Sequence, residues 1–341
     1  MSAPALLVRS DNVGDVLLAG PAVRAVAAHE REVVLLAGPR GRAGAELLPG
    51  VDRVVEWCVP WIDPEPGAVD PAQVRRFVEL IGSIGPRAAL VFTSFHQSAL
   101  PLALLLRMAG VGWIGAISED YPGSLLDLRH RVEGDPPESE RALSLARAAG
   151  YAPPPGDDGG LAVRRPLPDV SGLVGEPGYV VLHPGATAPA RQWPTEHCAA
   201  AVRALAAAGH RVVVTGAPQE KARTALVAGE DGLDLGGRTD LAGLGAVLDG
   251  ADVVVAPNTG PAHLAAAVGT PVVSLFAPVV PAERWSPHGV PVELLGDQGA
   301  PCRGTRARDC PVPGHPCLAG VGPDEVLRAV ERLRGAVRCE S

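Results

Sequence analysis

Short runs of aliphatic and β-branched residues alternate along this chain with longer stretches whose apolar positions recur at helical spacing. The short runs, bounded by polar turns, read as strands of a covered sheet, and the longer stretches as the helices that cover it. Strands are predicted over 6–9, 33–37, 54–57, 88–92 and 112–117, and helices over 16–28, 71–84, 100–109 and 138–149. Such alternation predicts a doubly wound α/β sheet. The segment 118–131 is polar and irregular, with Tyr121-Pro122-Gly123 as a turn.

The alternation stops at Pro153-Pro154-Pro155-Gly156-Asp157-Asp158-Gly159-Gly160, where no helix or central strand can continue. An inter-domain connection is therefore placed between residues 153 and 178. Beyond it the pattern restarts, with strands over 179–182 and 211–215 and helices over 194–208, 220–228 and 241–248. The clearest unit follows: a strand over 253–255, a small polar turn, an Ala-rich helix from Thr259-Gly260, and a strand over 272–276. Strand, turn, helix and strand in that order make the βαβ unit of a parallel sheet. The expected organisation is two Rossmann-like doubly wound α/β domains, 1–165 and 166–322, with strand C-termini of both facing a central cleft. A last helix, 323–341, is expected to pack back on the N-terminal domain.

Thr259 and Gly260 stand where a helix begins, and free N–H groups with the helix dipole favour an anion there. A phosphorylated ligand is the natural candidate. The two commonest phosphate-binding turns are absent: no G-x-G-x-x-G follows the first strand, and no G-x-x-x-x-G-K-[ST] occurs.

Bulk properties narrow the class. The 341 residues are 47% hydrophobic with a net charge of −8, which fits a globular chain and argues against a general nucleic-acid surface. No apolar stretch of membrane-spanning length occurs without Gly, Pro or charge, and Met1-Ser2-Ala3-Pro4 lacks a basic signal-peptide head. The expected address is cytoplasmic, extending to peripheral contact at the inner membrane face, and a monomer is the default. Cys58, Cys198 and Cys339 are isolated and read as packing or idle thiols.

Four blocks carry a family resemblance. They are Val8-Arg9-Ser10-Asp11-Asn12-Val13-Gly14-Asp15 with Pro21 and Arg24; His183-Pro184-Gly185-Ala186-Thr187 with Arg191-Gln192-Trp193-Pro194; Thr215-Gly216-Ala217-Pro218-Gln219-Glu220 with Gly236-Gly237-Arg238-Thr239-Asp240; and Asn258-Thr259-Gly260-Pro261-Ala262-His263 through Phe276-Ala277-Pro278. In this order the chain resembles glycosyltransferase family 9, the heptosyltransferase-like group with the two-domain GT-B fold. The resemblance implies an inverting, metal-independent transferase that needs no cofactor. Its donor would be a nucleotide-diphosphate sugar such as ADP-heptose, and its acceptor a glycan, a lipid-linked sugar or a small molecule. It assigns acceptor binding to the N-terminal domain and the nucleotide sugar to the C-terminal one.

Residue by residue, the resemblance makes Asp15 the general base that deprotonates the acceptor hydroxyl, against the plainer role of a helix cap. Asp11 is the rival acid, read as a turn residue. Arg191 stands where the family often has lysine and is the expected diphosphate cation. Thr187, Thr259 and the N–H groups of Gly260 and Ala262 complete the phosphate cradle, and His263 faces phosphate or donor sugar. Glu220 resembles the family's ribose-binding acid, and Arg238 passes near the base. Asn258 stands where the family often carries aspartate, so it can hydrogen-bond a sugar hydroxyl without supplying charge. Ser94, His96 and Gln97 follow a strand end on the acceptor side, and Arg129, His130 and Arg131 are available for an anionic acceptor.

Cys302, Cys310, His315 and Cys317 share a Pro/Gly-rich segment and could supply three thiolates and an imidazole to zinc. The spacing is not that of a zinc ribbon, and packing thiols are the preferred reading. Two other functions remain open at this point. A sugar-nucleotide 2-epimerase would share the architecture but needs further cleft carboxylates and histidines. An inactive sugar-nucleotide-binding protein is suggested by Asn258.

Overall fold

The computed structural model describes the backbone over residues 3–340 and side chains through residue 335, so Met1, Ser2 and the Cys339 thiol lie outside the described residues. The chain forms two units, Met1–Arg164 and Arg165–Ser341.

The first unit is built on strands β1 (Ala5–Arg9), β2 (Val33–Ala37), β3 (Arg53–Glu56), β4 (Ala88–Val91), β5 (Trp113–Ile117) and β6 (Leu128–His130), in the spatial order β3-β2-β1-β4-β5-β6. All neighbours pair in parallel. Both faces are covered, so β1, β2 and β4 are buried along their whole length. Leu6, Val8, Val34 and Leu36 pack with Phe77 and Ile81 from the helix Pro71–Ile84 and with Leu102 and Leu106 from Leu100–Met108.

The second unit repeats the plan with β7 (Tyr179–Leu182), β8 (Val212–Val214), β9 (Gly232–Asp234), β10 (Ala251–Pro257), β11 (Val272–Leu275) and β12 (Val292–Leu295), in the order β12-β11-β10-β7-β8-β9. The C-terminal helix Pro323–Glu340 buries Val326, Ala329, Val330 and Leu333 in this unit's own core. Its apolar stripe packs against the helix Thr195–Ala207 and strands β10, β11 and β12. Two ion pairs, Arg332 with Glu293 and Arg334 with Asp252, hold its polar side to the same unit.

The segment after Pro153 belongs to the first unit. Arg24 grips Asp157 with a two-pronged guanidinium (2.7 and 2.8 Å) and donates to the Gly160 carbonyl, and Arg164 donates to the Leu48 carbonyl. The next residue, Arg165, pairs with Asp249 of the second unit. The change of unit therefore falls between two adjacent arginines. Among the described residues, no helix is long and apolar enough to cross a membrane.

In each sheet the strand order reverses once, between β1 and β4 in the first unit and between β7 and β10 in the second. At such a reversal the loops leaving the two central strands diverge to opposite faces and open a crevice beyond the strand ends. The polar motifs after β1, β4, β7 and β10 lie on those loops, and those over 215–220 and 236–240 lie on the neighbouring turns after β8 and β9.

Candidate active site

In the first unit the predicted helix 16–28 is two pieces, Val13–Leu18 and Gly20–Ala27, broken where Pro21 follows Gly20. Asp15 is therefore the third residue of a six-residue helix whose N-cap is Asn12, and it does not cap. Its Oδ1 accepts a 3.0 Å bond from Arg9 Nη2 at the end of β1. Arg9 also lies 2.9 Å from Asp11 and donates to Ser94 Oγ (2.8 Å).

Gln97 is not turned to solvent. Its Nε2 donates to Asp11 Oδ1 (2.5 Å) while its Oε1 accepts from the Ser94 backbone. Sequence reasoning placed Gln97 on the acceptor side but missed that it holds Asp11. His96 is exposed, edge-on to Phe95 at 5.2 Å between ring centroids. The loop after β2 closes the crevice tightly. A Cβ on Gly38 or Gly41 would lie 2.4 or 2.6 Å from the carbonyl oxygens of Ser10 and Asp11, which only glycine tolerates.

Of the cations offered for an anionic acceptor, two are used internally. Arg129 donates to the carbonyls of Ser118 and Glu119, and His130 pairs with Ser144 Oγ at 3.0 Å. They belong to β6, which the sequence pattern left as an irregular loop, because three residues beside Tyr121-Pro122-Gly123 give no alternation to detect. Arg131 stays exposed.

In the second unit the turns after β7 and β8 meet. His183 Nδ1 lies 3.0 Å from Thr215 Oγ1, and the Glu220 carboxylate reaches across to Gly185. A Cβ at 185 would fall 2.0 Å from Glu220 Oε1. The other oxygen, Oε2, accepts from the Ala217 N–H (2.9 Å), tying the acid to its own turn. Burial drives the His183 pKa down to about 4, although Glu220 pulls the other way. His183 is thus a neutral imidazole near pH 7.

The turn after β9 folds onto the same place. Gly237 N–H donates to the Gly216 carbonyl (2.8 Å), and Gly237 has a left-handed φ of 65° that a side chain would strain. Arg238 follows it, exposed.

The helix Gly260–Val268 begins at Thr259, whose side chain makes no capping bond. The cradle predicted here is smaller than expected. Ala262 N–H is donated to the Thr259 carbonyl (3.1 Å) and Pro261 has no N–H, so Gly260 remains as the first-turn donor. Asn258 and His263 are buried beside it, and the Asn258 Nδ2 has no hydrogen-bond partner among the described residues. Thr187 is exposed and Arg191 half-buried, on the loop leaving β7. The neighbouring Ala190 is fixed by the 302–317 segment: its N–H donates to the Arg308 carbonyl (2.9 Å), and its carbonyl lies 3.1 Å from His315 Nε2.

Cys302 and Cys317 are buried in the core of this unit with Cys310 packed against it. Burial and the neighbouring Cys302 push the Cys317 thiol up to about 12, which disfavours its thiolate. Among the described residues, no group of three or more His, Cys, Asp or Glu side chains is arranged to hold a metal ion.

Two Rossmann-like parallel α/β units, each with its polar loops at the strand reversal, define the GT-B class. Residues 88–314 match the model of glycosyltransferase family 9 (heptosyltransferase). The chain belongs to this family and is a glycosyltransferase of heptosyltransferase type. Lipopolysaccharide heptosyltransferase 1 of Escherichia coli (strain K12) is 27% identical over 292 residues, covering 81% of this chain and 88% of that protein. The structure of E. coli ADP-heptose lipopolysaccharide heptosyltransferase II superposes with a TM-score of 0.74 at 19% identity, over 99% of this chain and 100% of that one. E. coli heptosyltransferase WaaC with ADP-2-deoxy-2-fluoro heptose gives 0.69 at 21% identity, over 96% and 99%.

Proposed function

We propose that this chain takes ADP-heptose as donor and moves the heptose, with inversion and without a metal ion, to an acceptor hydroxyl. The observation that carries the reading is the unpartnered Asn258 amide, buried at the β7–β10 reversal beside Thr259 and Gly260. A buried donor without a partner costs about 1–3 kcal/mol, and a ligand hydroxyl would remove that cost. The names of the relatives, which include an ADP-heptose analogue complex, support heptose as the sugar.

In this mechanism Asp15 accepts the proton of the acceptor hydroxyl as its oxygen bonds to C1 of the donor. The bond from C1 to the diphosphate oxygen breaks, and ADP leaves with the electron pair. Arg191, Thr187, Thr259 and the Gly260 N–H meet the charge growing on the diphosphate, the task for which fixed donors are most effective. Glu220 accepts from ribose hydroxyls, Arg238 lies along the base, and Asn258 and His263 hold the sugar. His96 and Gln97 flank the acceptor side, where a lipid-linked or free glycan is the expected acceptor class.

Thermal-shift titration with ADP-, UDP-, GDP- and dTDP-sugars tests the donor, because a ligand bound only to the native state raises its melting temperature. ADP-heptose is expected to give the largest rise. No response to any ADP-sugar would overturn the assignment.

A further inference from the structure

The carboxylate of Asp15 is one member of a buried charge cluster. Arg9 is 2% exposed and stands at its centre. Its Nη2 bridges Asp15 Oδ1 (3.0 Å) and Ser94 Oγ (2.8 Å), so one nitrogen ties the loop after β1 to the loop after β4. Its Nε is 2.9 Å from Asp11 Oδ2, an ion pair without hydrogen-bond alignment, and its Nη1 is 3.9 Å from Glu138 Oε2. Glu138 in turn lies 3.7 Å from Arg141, which donates to the Thr93 carbonyl. Two guanidinium groups therefore serve three carboxylates, brought from β1, the loop after it, the first helix and the helix Glu138–Ala148.

The members are not equivalent. Burial works against the charge on Arg9, but Asp11, Asp15 and Glu138 outweigh it and hold its pKa above the ordinary arginine value. Asp11 is pushed up by burial and by the Asp15 charge, against Arg9 and the Gln97 hydrogen bond. Asp11 is nearly enclosed, whereas the Asp15 side chain is 21% exposed and is the carboxylate a substrate can reach. The helix that carries Asp15 has only six residues, too short to contribute a large dipole. A fixed cation and a fixed geometry must then come from the strand beneath.

We infer that Arg9 is a positioning residue for transfer: its Nη2 bridge to Ser94 fixes one oxygen of Asp15 and leaves the other aimed at the acceptor hydroxyl. The inference rests on the reading of Asp15 as the base. A general base must hold hydrogen-bond geometry to the proton it takes, and misplacement by about 1 Å can cost on the order of 100-fold in rate. Arg9 restricts the carboxylate without touching substrate. Its loss should therefore appear in kcat and spare the donor site, which is built from residues of the other unit.

The test is ADP release from ADP-heptose with heptose-free lipopolysaccharide as the probe acceptor, alongside ADP affinity and melting temperature. Arg9→Met is expected to lower kcat roughly 100-fold with donor KM and ADP affinity unchanged. Arg9→Lys keeps the charge but can bridge fewer partners, and should recover about tenfold of that loss. Ser94→Ala removes one anchor of the bridge and should lower kcat several-fold at an unchanged melting temperature. A folded Arg9→Met with kcat within threefold of wild type would overturn the inference. So would an Arg9→Lys no better than Arg9→Met, or a kcat loss matched by a weaker donor KM. If Arg9→Met does not fold, a wild-type kcat in Ser94→Ala overturns it. Asp15→Asn separates the two readings. Normal turnover in that variant refutes the base itself, whereas an inactive Asp15→Asn beside a normal Arg9→Met refutes only the role of Arg9.

Discussion

The Glu220 carboxylate lies against the α-carbon of Gly185, where a β-carbon would come within 2.0 Å of Oε1. Only glycine at 185 lets an acid from the turn after β8 stand over the turn after β7. Gly185→Ala is expected to fold, since the end of a glutamate side chain can swing aside. It should nevertheless weaken ADP binding about tenfold by displacing the ribose acceptor, matching Glu220→Gln in an isothermal titration. Unchanged affinity in both variants would remove Glu220 from the donor site.

Asn258 predicts opposite changes in stability and binding. Its Nδ2 is buried with no hydrogen-bond partner among the described residues. Asn258→Leu, similar in shape, should leave the melting temperature equal or raised, because the apolar side chain needs no partner. Donor-sugar affinity should fall by about fivefold, the worth of roughly 1 kcal/mol. Loss of stability with intact binding would mean that the amide serves the fold.

His183 sets a pH dependence of stability. Its folded pKa of about 4 lies below the ordinary 6.5, so between those values the unfolded chain binds the extra proton. Stability contributed by the neutral imidazole is complete above pH 6.5 and is lost as pH falls toward 4. The loss is on the order of 3 kcal/mol for a shift of this size. Urea midpoints measured from pH 7.5 to 4.5 should decline more steeply in wild type than in His183→Gln. Parallel declines would show that other groups govern the acid limb.

The thiols should divide by location. Cys58 is exposed, whereas Cys198, Cys302 and Cys317 are buried. Burial pushes the Cys198 and Cys317 thiols up to about 12, so a thiol reagent at pH 8 should modify Cys58 in the native protein and the others only after unfolding. Metal analysis of the purified chain should give less than a tenth of an equivalent. A stoichiometric soft metal would make the 302–317 segment a metal site.

The sequence was most legible where residues act through the backbone period. Val33–Ala37 and Tyr179–Leu182 were predicted to the residue, because strands buried on both faces are short apolar runs between polar turns. Strands β6, β9 and β12 were missed: they are edge strands, three or four residues long, with half-buried or exposed positions that break the apolar run. The C-terminal helix was legible from its amphipathic stripe, which does not by itself say which sheet it covers. At the candidate site, the motifs singled out Asp15, Glu220 and Thr259, whereas the pairing of Gln97 with Asp11 and of Arg9 with Ser94 joins residues more than eighty positions apart. No local pattern encodes such a contact. The Ala262 N–H was misjudged because it closes a turn on the Thr259 carbonyl that the motif alone does not specify.

Ala190 is held from both sides by the 302–317 segment, and Arg191 is its immediate neighbour. Drift in that distant stretch of chain would be transmitted to the cation through one short backbone link. On the role proposed for Arg191, members of the family that differ only in this thiol-lined strap would therefore diverge in how firmly they grasp the leaving diphosphate, with every ligand-facing side chain the same.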